Sequence, residues 1–167
     1  MTFEPRRICA EEARRTELAV VAWPSTRGSR LSTDRDTALD VVGYGVRIVV
    51  QLGECVITIK LPTAHVQQAI TRRVYGGHRI AFSTPTECVR HVANCDFAGG
   101  RIVLFSGGPA NFHEKSLLGG ICAIHAGEGF GSIIGGNPFQ RPKEEAIHMP
   151  GAVMAIQSAV PTQDRAQ

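Results

Sequence analysis

The chain reads as an α/β protein of about four βα units around a parallel sheet. Short apolar runs rich in β-branched residues alternate with longer helix-favouring segments, giving the order βαβαβαβα. Each run is closed by proline or paired glycine, at Pro24, Pro62, Gly107-Gly108 and Gly135-Gly136. The intervening segments are long enough for right-handed crossovers, which join parallel neighbours.

In chain order, residues 11–17 are charged and favour a helix, and LAVVAW at 18–23 is the continuous apolar run expected of a strand buried on both faces. Ser32, Thr33 and Asp34 offer N-caps to a helix carrying Ala38, Leu39, Val42, Val46, Val49, Val50 and Leu52, with Gly53 at the C′ position. CVITIKL at 55–61 is the second strand. Residues 64–75 read as a helix closed by Gly76-Gly77, and residues 84–95 as a shorter one capped by Thr84 with Pro85 in its first turn. RIVLFSGG at 101–108 is a strand running into a glycine pair. Residues 111–126 form a helix in spite of Gly119-Gly120. The fourth strand, 130–134, ends in Gly135-Gly136-Asn137, and a last helix starts near Pro142 with Glu144 and Glu145 in its first turn. Residues 1–157 are thus expected to form one partial domain and 158–167 a disordered tail. An open doubly wound sheet and a (β/α)8 barrel share this grammar. A barrel typically takes about 250 residues and no fewer than about 200, so four units in 167 residues make half of one.

Composition excludes several classes. The formal charge of +3 is small and the arginines are scattered, so no nucleic-acid footprint is present. Five cysteines, odd in number and without Cys-x-x-Cys spacing, suggest neither a disulfide framework nor a zinc site, and suit a reducing cytoplasm. The opening MTFEPRRICAEEARR has no apolar signal core and no run approaches a membrane span, so a cytoplasmic protein without membrane contact is expected. The six histidines show no His-x-x-x-His spacing and read as surface or helix-face residues. Cys55 and Cys122 lie in apolar segments and read as core, and Arg14-Arg15, Arg72-Arg73 and Arg141 as solvated or capping residues.

Two features invite chemistry. Lys60 stands inside a strand, on the same face as Val56 and Thr58 and opposite Ile57 and Ile59. The ordinary explanation is a lysine that ends the strand and snorkels to water. The sharper one is a desolvated amine that forms a Schiff base with a carbonyl substrate. The turns FSGG at 105–108 and IIGGN at 133–137 sit at the carboxyl ends of consecutive strands, where a parallel barrel holds phosphate on backbone N–H groups. The ordinary explanation of each is a turn that needs positive φ. Neither turn spells the Gly-x-Gly-x-x-Gly of a dinucleotide site.

Four segments, VVAWPSTRGSRLS…TALDVV, QLGECVITIKLPTAH, RHVANCDFAGGRIVLFSGGPA and GEGFGSIIGGNPFQRPKEEA, resemble in that order the carboxyl-terminal half of the bacterial and archaeal-type class I fructose-bisphosphate aldolases. The resemblance runs from about residue 11 to about residue 155. It implies half of a TIM barrel and the reversible cleavage of fructose 1,6-bisphosphate to dihydroxyacetone phosphate and glyceraldehyde 3-phosphate, through an imine on a strand lysine, with no metal or other cofactor.

By the same resemblance, Trp23 shapes the substrate pocket, Ser106, Gly107, Gly108, Gly135, Gly136 and Asn137 hold phosphate, and Lys60 is the remaining strand lysine. This chain departs from the pattern at three places. The family carries lysines at the positions of both Thr58 and Lys60, with the imine usually on the first. The family's proton-transferring tyrosine is Ser25 here, and its Gly-Arg-Asn is Gly135-Gly136-Asn137. Nothing supplies the first four strands. The expected partners are therefore a sugar phosphate and either further copies of the chain or a complementary half barrel, because an open half barrel exposes two sheet edges. The alternative to a truncated or drifted aldolase is a non-catalytic half-barrel module that binds a phosphorylated metabolite or pairs with another half.

Overall fold

The computed structural model describes residues 4–24, 35–97, 99–106 and 114–159, with side chains from Ile8 onward. Four strands, β1 (Val21–Ala22), β2 (Val56–Lys60), β3 (Ile102–Ser106) and β4 (Gly131–Ile133), form one parallel sheet in chain order. The register pairs Val21 with Val56, Val56 with Ile102, Lys60 with Ser106 and Ser106 with Ile133. The helices are α1 (Glu4–Arg15), α2 (Leu39–Gln51), α3 (Ala69–Gly77), α4 (Pro85–Ala93), α5 (Glu114–Ala126), the four-residue α6 (Gly136–Phe139) and α7 (Lys143–Ser158).

The strand period of two decides where the core lies. Ile57 and Ile59 of β2 and Val103 and Phe105 of β3 point to one side. There they meet Leu39, Val42, Val46 and Val49 of α2, Val89 and Val92 of α4, Ile121 and Ile124 of α5 and Val153 of α7. The helix layer runs α2, α4, α5, α7, each packed on the next, and α3 buries no residue. Phe105 is fully enclosed, a burial worth about 1.5–3 kcal/mol. A Cβ on Gly129 would lie 2.7 Å from its ring, so glycine is required there by close approach. The other sheet face, with Val56, Thr58 and Lys60 beside Ile102, Leu104 and Ser106, contributes nothing to this core.

Several sequence expectations hold. Gly53 has φ +89° just beyond α2. Thr84 and Glu87 form a reciprocal capping box with Pro85 in the first turn of α4, and α5 runs unbroken through Gly119-Gly120.

Others need correction. The first strand is two residues long, and Leu18, Val21 and Trp23 are exposed instead of buried on both faces: among the described strands β1 stands at the edge, with a neighbour on one side only. The first helix covers Glu4–Arg15 and ends before residue 17. The helix expected from residue 64 starts at Ala69, because residues 63–68 spend their backbone groups on the start of α2. Thr63 N donates to Thr37 O at 2.8 Å, Leu39 N to His65 O at 2.8 Å, and the Asp40 carboxylate accepts from Gln67 N and Gln68 N, both at 2.9 Å. That arrangement also puts Ala38 at the N-cap of α2, without a side-chain cap. The expected caps Ser32, Thr33 and Asp34 lie outside the described residues, as does the start of the helix read from residue 111. Of the expected tail, Ser158 closes α7 and residues 160–167 lie outside the described set. Cys55 and Cys122 are exposed and belong to no core, whereas Cys88 is fully buried.

On the outer layer Tyr75 of α3 meets His91 of α4, Tyr75 Oη to His91 Nε2, at 2.9 Å with the rings edge to face. Burial lowers the His91 pKa from its ordinary 6.5. Burial first, then the nearby Cys95 and Asp40, push Tyr75 up to about 12 from 10.0. The fold thus prefers both groups neutral. Stability from the histidine is complete above its unfolded pKa near 6.5 and falls as pH drops through and below it, where the unfolded chain binds the extra proton. Stability from the tyrosine is complete below 10.0 and falls as pH rises toward about 12. Urea midpoints measured against pH should lose the acid-side component in His91→Phe, and an unchanged acid limb would show that the pair contributes nothing.

Candidate functional site

All four strands run the same way, so their carboxyl ends share one rim. Register sets Lys60, Ser106 and Ile133 in a row across it, and Trp23 follows β1 at its end. The rim opens into a small cleft lined by Trp23, Pro24, Asp36, Val41, Val42, Gly45, Ile59 and Lys60. The residues read from sequence as pocket and nucleophile are therefore brought together. The cleft has about 20 Å³ of enclosed room, enough for about one water molecule and not for a sugar phosphate.

Lys60 is not a walled-in amine. Its side chain is 45% exposed and its Nζ donates to Asp36 Oδ2 at 3.0 Å. An exposed pair of this kind adds only about 0.2–1 kcal/mol of stability, so its effect is positional: it aims the amine along the rim at Asp36. Asp36 is a residue that sequence reasoning missed. No motif marks it: Asp36 meets the strand lysine and Asp40 holds the loop after it.

Thr58 is fully enclosed two residues earlier, and its Oγ1 has no hydrogen-bond partner among the described residues. The strand rise separates it from Lys60 by roughly 6.6 Å. Ser106 sits between Lys60 and Ile133 at the end of β3. Gly107, Gly108 and Ser25 lie outside the described residues.

Beyond β4, Gly135 has φ −50° and opens the short helix α6, which contains Gly136 and the buried Asn137. Neither glycine has positive φ, and a Cβ on either would meet nothing within 4 Å. Among the described residues nothing in the geometry demands glycine at this turn, and none of them fills the space over it. Arg141 follows with a largely buried side chain, paired with Glu145 at 3.4 Å. Among the described residues no cluster of three or more His, Cys, Asp and Glu side chains is placed to hold a metal ion, and no helix is long and apolar enough to cross a membrane.

Neither a protein-family model nor a curated protein sequence matches this chain. Solved structures do. An archaeal fructose 1,6-bisphosphate aldolase superposes with a TM-score of 0.73 at 22% identity, covering 95% of this chain and 52% of the aldolase. A second archaeal fructose-1,6-bisphosphate aldolase, solved with its catalytic lysine bound to the carbinolamine intermediate, gives 0.69 at 23% identity, covering 90% of this chain and 51% of that one. The fructose-bisphosphate aldolase of Slackia heliotrinireducens gives 0.71 at 21% identity, covering 94% and 44%. The fold class follows: a parallel α/β sheet equivalent to half of an aldolase-type TIM barrel. This chain spans about half the length of the solved structures it matches.

The orphaned Thr58 hydroxyl carries a prediction. A buried hydroxyl without a partner costs about 1–3 kcal/mol relative to a satisfied one, and valine has nearly the same shape without that cost. Thr58→Val should therefore leave the chain as stable or raise its stability by about 1 kcal/mol. A loss of stability in urea titration would show that the hydroxyl has a partner.

Proposed function

We propose that this chain is a drifted half of a class I fructose-bisphosphate aldolase barrel whose retained activity is to hold a phosphorylated sugar at the rim formed by Ser106 and the Gly135–Gly136–Asn137 turn. One observation supports this most directly: that turn is built of glycines that neither φ nor packing against the described residues requires, beside a serine at the end of the adjacent strand. Glycine there leaves backbone N–H groups open to an anion. The nucleophile has fared differently. A threonine occupies the position where the resemblance places the imine lysine, and the remaining lysine is committed to Asp36. An imine that must form within about 1 Å of its proper place does not survive a 6.6 Å shift without cost, since about 1 Å can already lose 10²-fold.

The test is a pair of measurements on the chain as purified. Fructose 1,6-bisphosphate cleavage should be absent or far below the ordinary enzymatic range, on the order of 1 to 10³ per second. Calorimetric titration with the same compound should show binding that Gly136→Ala weakens, while that substitution raises helix stability by about 0.5–1 kcal/mol. Ordinary turnover would refute the loss of catalysis, and binding untouched by Gly136→Ala would refute the phosphate turn.

A second reading, residual Schiff-base chemistry at Lys60, is favoured by the cleft that Lys60 shares with Trp23. Borohydride reduction in the presence of dihydroxyacetone phosphate, followed by peptide mapping, should then label Lys60 and not Lys115 or Lys143. Asp36→Asn, which loosens the amine from its carboxylate, should increase the label. No label in either protein would exclude this chemistry.

A further inference from the structure

Residues 69–82, which carry α3 and the turn after it, are pinned at each end by a carboxylate and attached in the middle by one side chain. At the leading end the buried Asp40 of α2 accepts from Gln67 N and Gln68 N, both at 2.9 Å. At the trailing end Glu87 of α4 accepts from Ser83 N at 2.8 Å and from Thr84 N at 2.9 Å. Between these clamps the main chain is nearly unattached. Among the described residues one backbone N–H of the segment bonds outside it, Arg72 N to Gln68 O at 3.0 Å, and that bond is the first turn of α3 itself. The Arg72 guanidinium reaches only as far as Val66 O, at 2.6 Å, beside the leading clamp.

Packing adds little. α3 buries none of its residues, and its aliphatic side chains Ile70 and Val74 are 69% and 47% exposed. A helix of nine residues is too short to hold itself in water and depends on what it buries. The attachment is Tyr75. Its ring meets His91 of α4 edge to face with centroids 4.9 Å apart, its Oη lies 2.9 Å from His91 Nε2, and it packs on the core together with Phe82. Two thiols sit at this contact. Cys88 Sγ, fully buried, donates to Phe82 O at 3.3 Å, and Cys95 Sγ, just beyond α4, donates to His91 O at 3.3 Å.

We propose that residues 69–82 form a strap that opens as one unit between the Asp40 and Glu87 clamps when Tyr75 leaves His91, uncovering Cys88 and Cys95 while the sheet and the rim stay folded. Each clamp is a carboxylate holding two N–H groups, stronger than the single neutral contact at Tyr75, so the opening stops there. The Lys60–Asp36 pair and the bond from Thr63 N to Thr37 O lie on the far side of the Asp40 clamp and are kept. The open state therefore presents two thiols and an imidazole that the closed state encloses, at no cost to the arrangement of the rim.

This inference rests on the packing of α3 and not on the sugar-phosphate reading, and its test uses no ligand. Alkylation by N-ethylmaleimide followed by peptide mapping reads the opening, with the exposed Cys55 and Cys122 as internal controls. In the wild-type chain the labelling rates of Cys88 and Cys95 should rise with low urea far less steeply than global unfolding does, and amide exchange at residues 72–80 should follow the same shallow dependence. Tyr75→Ala should raise both rates at least about tenfold, and Tyr75→Phe, which keeps the ring, should raise them less, with Cys55 and Cys122 unchanged in either variant. Labelling of Cys88 and Cys95 with the full urea dependence of global unfolding would overturn the proposal, as would rates that neither variant alters.

Discussion

The structure depends on a stitch between two short segments. Residues 36–40 lead into α2, and residues 60–68 lead out of β2. They are joined by the Lys60–Asp36 pair, by Thr63 on Thr37, by Leu39 on His65 and by Gln67 and Gln68 on the Asp40 carboxylate. The first free N–H of α2 thereby finds its acceptor in the main chain of the next loop, and no capping side chain is needed. A buried carboxylate accepting two N–H bonds is costly to remove, about 1–3 kcal/mol or more, so this loop is among the best-fixed parts of the rim. Lys60 is the polar end of the same stitch. Its direction is set by what the loop needs, and that gives a physical reason for an amine on the inward face whose charge is spent at the edge.

The sequence disclosed the fold where one local rule acted alone. The alternation of Ile57, Ile59, Val103 and Phe105 is enough to assign two central strands and their core face, because both neighbours of each are present. The capping box at Thr84 and the C′ glycine at residue 53 are equally local. Where a segment answered to something distant, the reading slipped. The run at 18–23 has the composition of an interior strand, yet its outer neighbour is not among the described strands and only two residues pair. The helix placed at residue 64 has good propensity, but its first turn is recruited by α2 across more than twenty residues of sequence.

The candidate site was legible as a list of residues and not as an arrangement. That Trp23 and Lys60 share a cleft follows from strand order and register, which an alternating pattern of strands and helices implies. The partner of Lys60 does not, since Asp36 belongs to no recognisable motif and reaches the lysine only because the stitch brings it there. The openness above Gly135 and Gly136 was also invisible in sequence. Glycine pairs after strands usually answer to backbone geometry, and only the φ values and the lack of any described atom within 4 Å remove that explanation here.

These two features set different tolerances to change. A phosphate held by backbone N–H groups depends on the path of the chain, and the path is maintained by the buried apolar contacts beneath the rim, which accept many substitutions of similar volume. A superposition of 0.73 at 22% identity is an instance of a path kept while side chains are exchanged. Imine chemistry depends on one amine at one place, and on the proposed reading packing cannot supply it, because the residue at that place is Thr58. On the proposed reading, then, sequence drift removes the two functions in a fixed order. Side-chain catalysis is lost first, and main-chain anion binding persists for as long as β3, β4 and the helices beneath them hold their register.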